Sequence, residues 1–137
     1  MVNRVILVGN LGKDPETRTL ENGVKIANFS IATSESYKDK SGEWQQKTEW
    51  HNVQTWAKLA ERAESTLSKG ATIYLEGKLS TRKWQDKNGN DRYTTEVVAS
   101  YFRIINKGGG SQEAKPYNHD LGNQDPSAKS GPDDLPF

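Results

Sequence analysis

Five stretches of the chain are dense in β-branched and aromatic residues, and a single stretch with helical spacing interrupts them. The five are RVILVGNL, KIANFSIATS, TEWHNVQTW, ATIYLEGKLSTRKW and RYTTEVVASYFRII. Such residues suit a pleated, half-buried surface, so each stretch reads as a strand. Between the third and fourth, KLAERAESTLSKG places Leu59, Ala63 and Leu67 four apart on one helical face. Lys69 and Gly70 then close the segment as a helix C-terminus does. Asn88-Gly89, between the last two strands, predicts a two-residue hairpin turn, because both residues tolerate the positive φ angles that such a turn demands. Three strands, one short helix and two strands is the order of the OB-fold, a five-stranded Greek-key barrel. The expected class is therefore all-β with one small helix.

The barrel does not need the whole chain of 137 residues. Residues 108–137 hold four of the five prolines, five glycines and few apolar side chains, which reads as a disordered, flexible extension. The expected division is a barrel over 1–107, a Gly/Pro-rich linker over 108–132 and an acidic tip over 133–137. A mean hydropathy of −0.91 with 32% hydrophobic residues fits a modest core plus a polar tail. Charge divides at the same place: 17 Lys and Arg stand against 13 Asp and Glu before residue 108, and 2 against 5 after it. A basic body with an acidic tail points to an anionic partner. The absence of cysteine removes disulfides, cysteine-ligated zinc and thiol catalysis, and fits a reducing compartment. With no basic-then-apolar leader and no apolar run near the roughly 20 residues of a bilayer span, a soluble, cytoplasmic protein without membrane association is expected.

The strand TEWHNVQTW carries the most chemistry. Alternation puts Trp50, Asn52, Gln54 and Trp56 on one face and His51, Val53 and Thr55 on the other. Tryptophans interleaved with amides make an exposed surface of rings and hydrogen-bonding groups, unlike a core face. Trp84 follows Arg82 and Lys83, and Tyr37 precedes Lys38 and Lys40. Rings set among cations suit single-stranded nucleic acid, whose bases stack on the rings while Lys and Arg track the phosphates. Strand aromatics ordinarily pack in a core or a subunit interface; three ring-plus-cation clusters on different strands argue against that for the set. Trp44, in the glycine-containing loop DKSGEWQQK, either stacks on a base or anchors its loop. Arg4, Lys13, Arg18, Lys58, Lys69, Lys78, Lys87 and Arg92 are further cations for a groove, though a folded domain also presents such residues as solvated surface charge.

Enzymatic readings find no residues to carry them. His51 lies on a strand facing Val53 and Thr55, and His119 lies in the tail. GxxxxGK[ST], HExxH, GxSxG and CxxC patterns are absent, and the carboxylates lack metal-ligand spacing. GNLGKD reads as a bend or bulge leaving a strand. No catalytic residue, metal or cofactor is expected.

Taken together, VILVGNLGKDPETR, ATSESYKDK, TEWHNV, KLAERAESTLSKG, YLEGKLSTRKW, DRYTTEVV and the terminal DDLPF resemble the bacterial single-stranded DNA-binding (SSB) family, in order, over about residues 2–107 and the last five. The resemblance implies a homotetramer of OB-folds that binds single-stranded DNA without strong sequence preference, in the cytoplasm at the nucleoid. It implies base stacking at Tyr37, Trp50, Trp56 and Trp84. It implies phosphate contacts at Lys58, Lys69, Arg82, Lys83 and Arg92, to which Arg4, Arg18 and Lys38 are added as groove candidates. His51 matches a position near the subunit interface. Asp133, Asp134, Leu135, Pro136 and Phe137 match the tip on which the family docks replication, repair and recombination proteins. The chain departs from the family in four places. Tyr37 stands where tryptophan is familiar, and Trp56 where phenylalanine is. Asn52 replaces a common basic residue, and the tip has two consecutive acids where three are usual. The linker is short, but 25 residues still reach about 25–30 Å.

Overall fold

Side-chain alternation decides which face of each strand is wet. In the stretch KIANFSIATS, Ala27, Phe29 and Ile31 are buried while Asn28 and Ser30 between them are partly exposed, the one-in, one-out pattern of a sheet with a single dry face. The computed structural model describes residues 1–108 and has the elements β1 Val5–Leu11, β2 Glu16–Thr19, β3 Lys25–Lys38, β4 Trp44–Trp56, α1 Lys58–Thr66, β5 Thr72–Gln85 and β6 Asp91–Asn106. The linker and tip expected over 108–132 and 133–137 lie outside the described residues, Gly108 excepted. Sheet order is β1-β5-β6-β4-β3-β2, and a further pairing of β1 with β3 closes five of the strands into a barrel. Among the described residues only β4 and β6 run parallel, through Val53↔Val97 and Gln54↔Val98. This is the OB-fold that the strand order predicts.

The sixth strand, β2, lies outside the barrel on the edge of β3. All four of its residues are exposed, so no hydrophobic alternation marks it in the sequence. Trp44, expected in a loop, begins β4 and pairs with Lys38. The β3–β4 and β5–β6 ladders both run on past the barrel as two-stranded ribbons, because each continues without interruption to its hairpin.

Closure rests on one close approach. Asn10 and Leu11 pair with Ala32 and Ile31, and Gly9 lies so near β3 that a Cβ there would sit 2.3 Å from the Ala32 carbonyl oxygen and 2.5 Å from Ile31 Cγ2. On the far side of the barrel the β5–β6 register slips between Glu76 and Gly77, leaving Ser100 as the extra residue of a bulge. The bulge resets the alternation of β6: Val97 and Ala99 point inward before it, and Phe102 after it. Ile73, Leu75, Val53, Phe29 and Ile31 complete the interior.

Helix α1 plugs one end of the barrel with Ala60 and Ala63, both fully buried. It ends at Thr66, short of the expected Lys69-Gly70 stop. Leu67 turns extended and drops into the core, while Ser65 and Thr66 hydroxyls both donate to the Arg62 carbonyl and satisfy the frayed end. The Arg62 guanidinium lies 4.5 Å from the Phe102 ring centroid and donates to the Phe102 carbonyl at 3.1 Å. Glu64 ties the helix to the sheet by accepting from Lys25 on β3 and Thr17 on β2.

Three hairpins share one construction. In Asp86–Asn90 the backbone N–H of Asp86 donates to the Asn90 carbonyl and that of Gly89 donates to the Asp86 carbonyl. The same pair of bonds recurs in Leu20–Val24 and Asp39–Glu43. The loop between the paired residues is three long, with Gly89 at φ 77°. That corrects the expected two-residue Asn-Gly turn: Asn88 has no positive φ, and only the glycine takes the left-handed place of a turn followed by a bulge. The Asp86 carboxylate explains the choice, since it accepts from the Asn88 and Asn90 backbone N–H groups at 2.9 and 3.0 Å and holds a tight loop.

The closure contact is testable. Gly9→Ala is expected to destabilise the fold by about 1–3 kcal/mol or more, because the obstructing atom is backbone and cannot retreat without parting β1 from β3. Urea unfolding followed by circular dichroism measures it, and an unchanged midpoint contradicts the closure as described.

Candidate nucleic-acid interface

Between Trp50 and Trp56 the outer face of β3 and β4 is polar. Register pairs Ser30 with Asn52 and Asn28 with Gln54 across the two strands, and Ser30 Oγ lies 3.4 Å from Asn52 Oδ1. Beyond β3, β2 adds Glu16 and Arg18. Facing them, the β5–β6 ribbon presents Arg82, Thr94 and Glu96. These residues, with Lys13, line a groove of about 390 Å³. Its floor is made of neutral amides and hydroxyls and its rim carries the charges.

Tryptophans flank this groove on both sides. Trp50 and Trp56 stand on the same face of β4 as Asn52 and Gln54, and are 58% and 43% exposed, as alternation predicts. Trp84 shares its face of β5 with Arg82 and is 43% exposed. Two of the rings are held by their indole N–H groups: Trp56 donates to Gln54 Oε1 at 2.9 Å and Trp84 to Thr94 Oγ1 at 2.8 Å. Each ring is thereby oriented while its faces stay open. Thr94, Asn28 and Ser30 were not singled out in the sequence, although the outward places of KIANFSIATS and RYTTEVV are a readable signal for them.

The register separates residues that sequence proximity puts together. Tyr37 is exposed but pairs with Gln45, on the ribbon face opposite that of Trp50 and Trp56. Trp44 instead shares the Trp50 face, with the Lys38 ammonium 5.4 Å from its ring centroid. Lys83 points away from Arg82 and Trp84, directly opposite the exposed ring of Tyr93. His51 is half-buried on the inward face, with Nε2 2.8 Å from Thr33 Oγ1. Lys58 opens α1, two residues after Trp56. Lys69 lies in the turn before β5, where its backbone N–H donates to Asp14 at 2.7 Å.

Half of the cations expected at phosphates or along the groove hold a carboxylate. Arg82 pairs with Glu96 at 3.2 Å, Lys83 with Asp91 at 3.2 Å and Arg92 with Asp86 at 3.0 Å. Exposed pairs of this kind are weak and give way readily to another anion. Among the described residues Arg18, Lys58 and Lys69 form no ion pair. Arg4 departs from expectation: it pairs with Glu76 at 2.7 Å and lines a separate hollow beside Met1, Gly77 and Ser100, away from the groove. The Glu76 carboxyl is held below its ordinary pKa, first by the Tyr74 hydroxyl and then by Arg4.

A closed OB barrel with a polar groove between aromatic and cationic walls belongs to the class of oligonucleotide-binding barrels. The comparisons with known proteins narrow the class. A sequence model described as the Single-strand binding protein family matches residues 2–105, and the chain belongs to that family. A solved Plasmodium falciparum SSB in complex with ssDNA is 31% identical, with a TM-score of 0.72, covering 77% of this chain and 97% of that one. A deletion variant of the single-stranded DNA binding protein from Thermus aquaticus is 27% identical, with a TM-score of 0.68, over 76% of this chain and 50% of that one.

The two hairpin aspartates give the interface a pH limit. Asp39 and Asp86 both ionise below the usual 3.8, chiefly because the backbone N–H groups of Glu43 and Asn90 donate to them, with Gln45 and Arg92 adding side-chain donors. Lowered folded values place this stabilisation above pH 3.8, and it is lost as the pH falls through them. The thermal midpoint is expected to drop below pH 3.8, and to drop less in Asp86→Ala. An identical acid limb in the variant contradicts the role of the carboxylate.

Proposed function

We propose that this chain binds single-stranded DNA with little sequence preference, shielding it during replication, recombination and repair. The observation that carries the reading is the placement of three exposed tryptophans on either side of one groove whose rim carries Lys13, Arg18 and Arg82 beside Glu16 and Glu96. Bases stack on Trp50, Trp56 and Trp84, with Trp44 extending the path along the same face of the β3–β4 ribbon, while Tyr37 offers its ring on the opposite face. Every base has a π face, so stacking accepts any sequence. Phosphates are taken by Arg18 and Arg82 at the groove and by Lys38, Lys58, Lys69 and Arg92 around it, while Lys83 carries its charge on the other face of the β5–β6 ribbon. The carboxylates now holding several of these cations are displaced as DNA binds. Membership of the family and the likeness to an SSB solved with ssDNA support the same assignment.

The chain acts as an oligomer, with the tetramer as the form the family resemblance favours. Ile6 and Val8 lie half-exposed on the outer face of β1, beside the edge-to-face pair Tyr74 and Tyr101, whose centroids are 6.3 Å apart. Val5 to Gly9 pair with β5 on one edge, while β3 reaches only Asn10 and Leu11 on the other. A second copy covers both the apolar face and the open edge, and His51 lies near such an interface. Asp133, Asp134, Leu135, Pro136 and Phe137 form the site for partner proteins: an apolar side chain, acids and the terminal carboxylate suit an apolar pocket rimmed by Lys or Arg.

Oligo-dT is expected to quench the tryptophan fluorescence at low salt, with affinity falling as salt rises through counterion release. Trp84→Ala is expected to cost roughly 1–3 kcal/mol of binding, and sedimentation with and without oligo-dT reads the number of copies per strand. Absence of quenching at low salt overturns the proposal, and tighter binding of a matched RNA strand reassigns the ligand. Deleting residues 133–137 is expected to abolish capture of replication and repair proteins while leaving DNA affinity equal or higher. A clear loss of DNA affinity places the tip in the DNA site instead.

A further inference from the structure

Gly12 is the residue of the N-terminal GNLGKD segment that the barrel does not explain. Gly9 in the same segment closes β1 on β3, but Gly12 lies just past the end of β1, where no strand neighbour demands a glycine. What it meets is a ring. A Cβ on Gly12 would lie 2.4 Å from Trp50 Cζ3, 2.7 Å from Cη2 and 3.5 Å from Cε3. The indole of Trp50 therefore reaches back from β4 and rests its far edge on the bare Cα of Gly12. Ala32, directly opposite Trp50 in the ladder, carries only a methyl and leaves that path open.

The seat itself is fixed. Gly12 donates its backbone N–H to the Ser30 carbonyl at 3.1 Å, and the preceding Leu11 donates to Ala71 at 2.9 Å. The ring is the opposite case: it is more than half exposed and has no hydrogen bond to its indole nitrogen among the described residues, unlike Trp56 and Trp84. A side chain at position 12 meets an immovable backbone on one side and a rotatable ring on the other, so the ring yields.

We infer that Gly12 is a positioning residue for the nucleic-acid interface: its missing side chain seats the Trp50 indole at the angle at which that ring stacks a base. The inference rests on the single-strand-binding function proposed above. Gly12 touches no nucleic acid itself. It does for Trp50 what Gln54 and Thr94 do for the other two rings, by contact with a vacant Cα rather than by a hydrogen bond.

The test uses the full chain and oligo-dT. Gly12→Ala is expected to raise the Kd by about as much as Trp50→Ala does, roughly 5- to 150-fold for one lost stack, with the thermal midpoint of the free protein close to wild type. The double variant is expected to bind no more weakly than Trp50→Ala alone. In a Trp50→Phe background, where the colliding outer atoms are gone, Gly12→Ala is expected to change Kd little. Wild-type affinity in Gly12→Ala overturns the inference, as does a loss that adds in full to that of Trp50→Ala. If Gly12→Ala alone does not fold, a folded Gly12→Ala/Trp50→Phe pair with the Kd of Trp50→Phe still supports the seat, and an unfolded pair refutes it. Fluorescence separates this failure from failure of the function: with Trp44, Trp56 and Trp84 replaced by Phe, Gly12→Ala is expected to shift the Trp50 emission in the free protein. A shift with no effect of Trp50→Ala on Kd places the fault in the stacking role, whereas an unshifted emission places it in the seat.

Discussion

The contact of Gly9 with the backbone of β3 is the constraint on which the remaining geometry depends. A five-stranded sheet becomes a barrel only if its first strand comes back against its second long one, and here the two meet over two residue pairs. The absence of a side chain at Gly9 lets the backbones approach; the bulge at Ser100 lets β6 bend round the other side. Once closed, the barrel sets the angle between the β3–β4 face and the β5–β6 ribbon, and the groove lies in that angle. The interior is small, yet each of the five barrel strands buries side chains in it, so the ribbons that extend beyond it have a firm base.

On that base the interface divides its work between two kinds of group. Rings supply area without sequence demand, and their orientation is set by one partner each. Cations supply attraction without geometry, and Arg82, Lys83 and Arg92 are each held near their places by a carboxylate. Such pairs keep long side chains from scattering, yet they are screened and weak enough to exchange for a phosphate. The groove floor of Asn28, Ser30, Asn52, Gln54 and Thr94 carries no charge. Asn52 is the residue at which the family resemblance leads one to expect a cation, and in the structure it pairs with Ser30 as part of that floor.

Much of this was legible in the sequence because period-2 alternation is a direct record of which face is dry. The strand order, the outward face of Trp50, Asn52, Gln54 and Trp56 on β4 and the inward turn of Val53 and Thr55 all follow from it. What was not legible has physical causes. Strand β2 is exposed throughout and leaves no hydrophobic trace. Asn88-Gly89 reads as a two-residue turn until the carboxylate of Asp86, two and four residues from its backbone donors, selects a three-residue loop. Lys83 and Tyr37 were grouped with neighbours in sequence, but adjacent strand residues face opposite ways. Arg4 was grouped with the groove cations by charge alone, and charge carries no information about which side of a barrel a residue occupies. The role of Gly12 was illegible for another reason: a missing side chain acquires meaning only from what rests against it.

The central claim is that three tryptophans on two walls of one groove act together on one strand of DNA. Nuclear magnetic resonance of the ¹⁵N-labelled indole groups during titration with oligo-dT tests it most directly. The account predicts that the Trp50, Trp56 and Trp84 resonances move in step, saturating at the same DNA ratio, while backbone amides of the buried β5 core stay in place. Stationary indoles, with shifts confined to the outer face of β1 and β5, would contradict it.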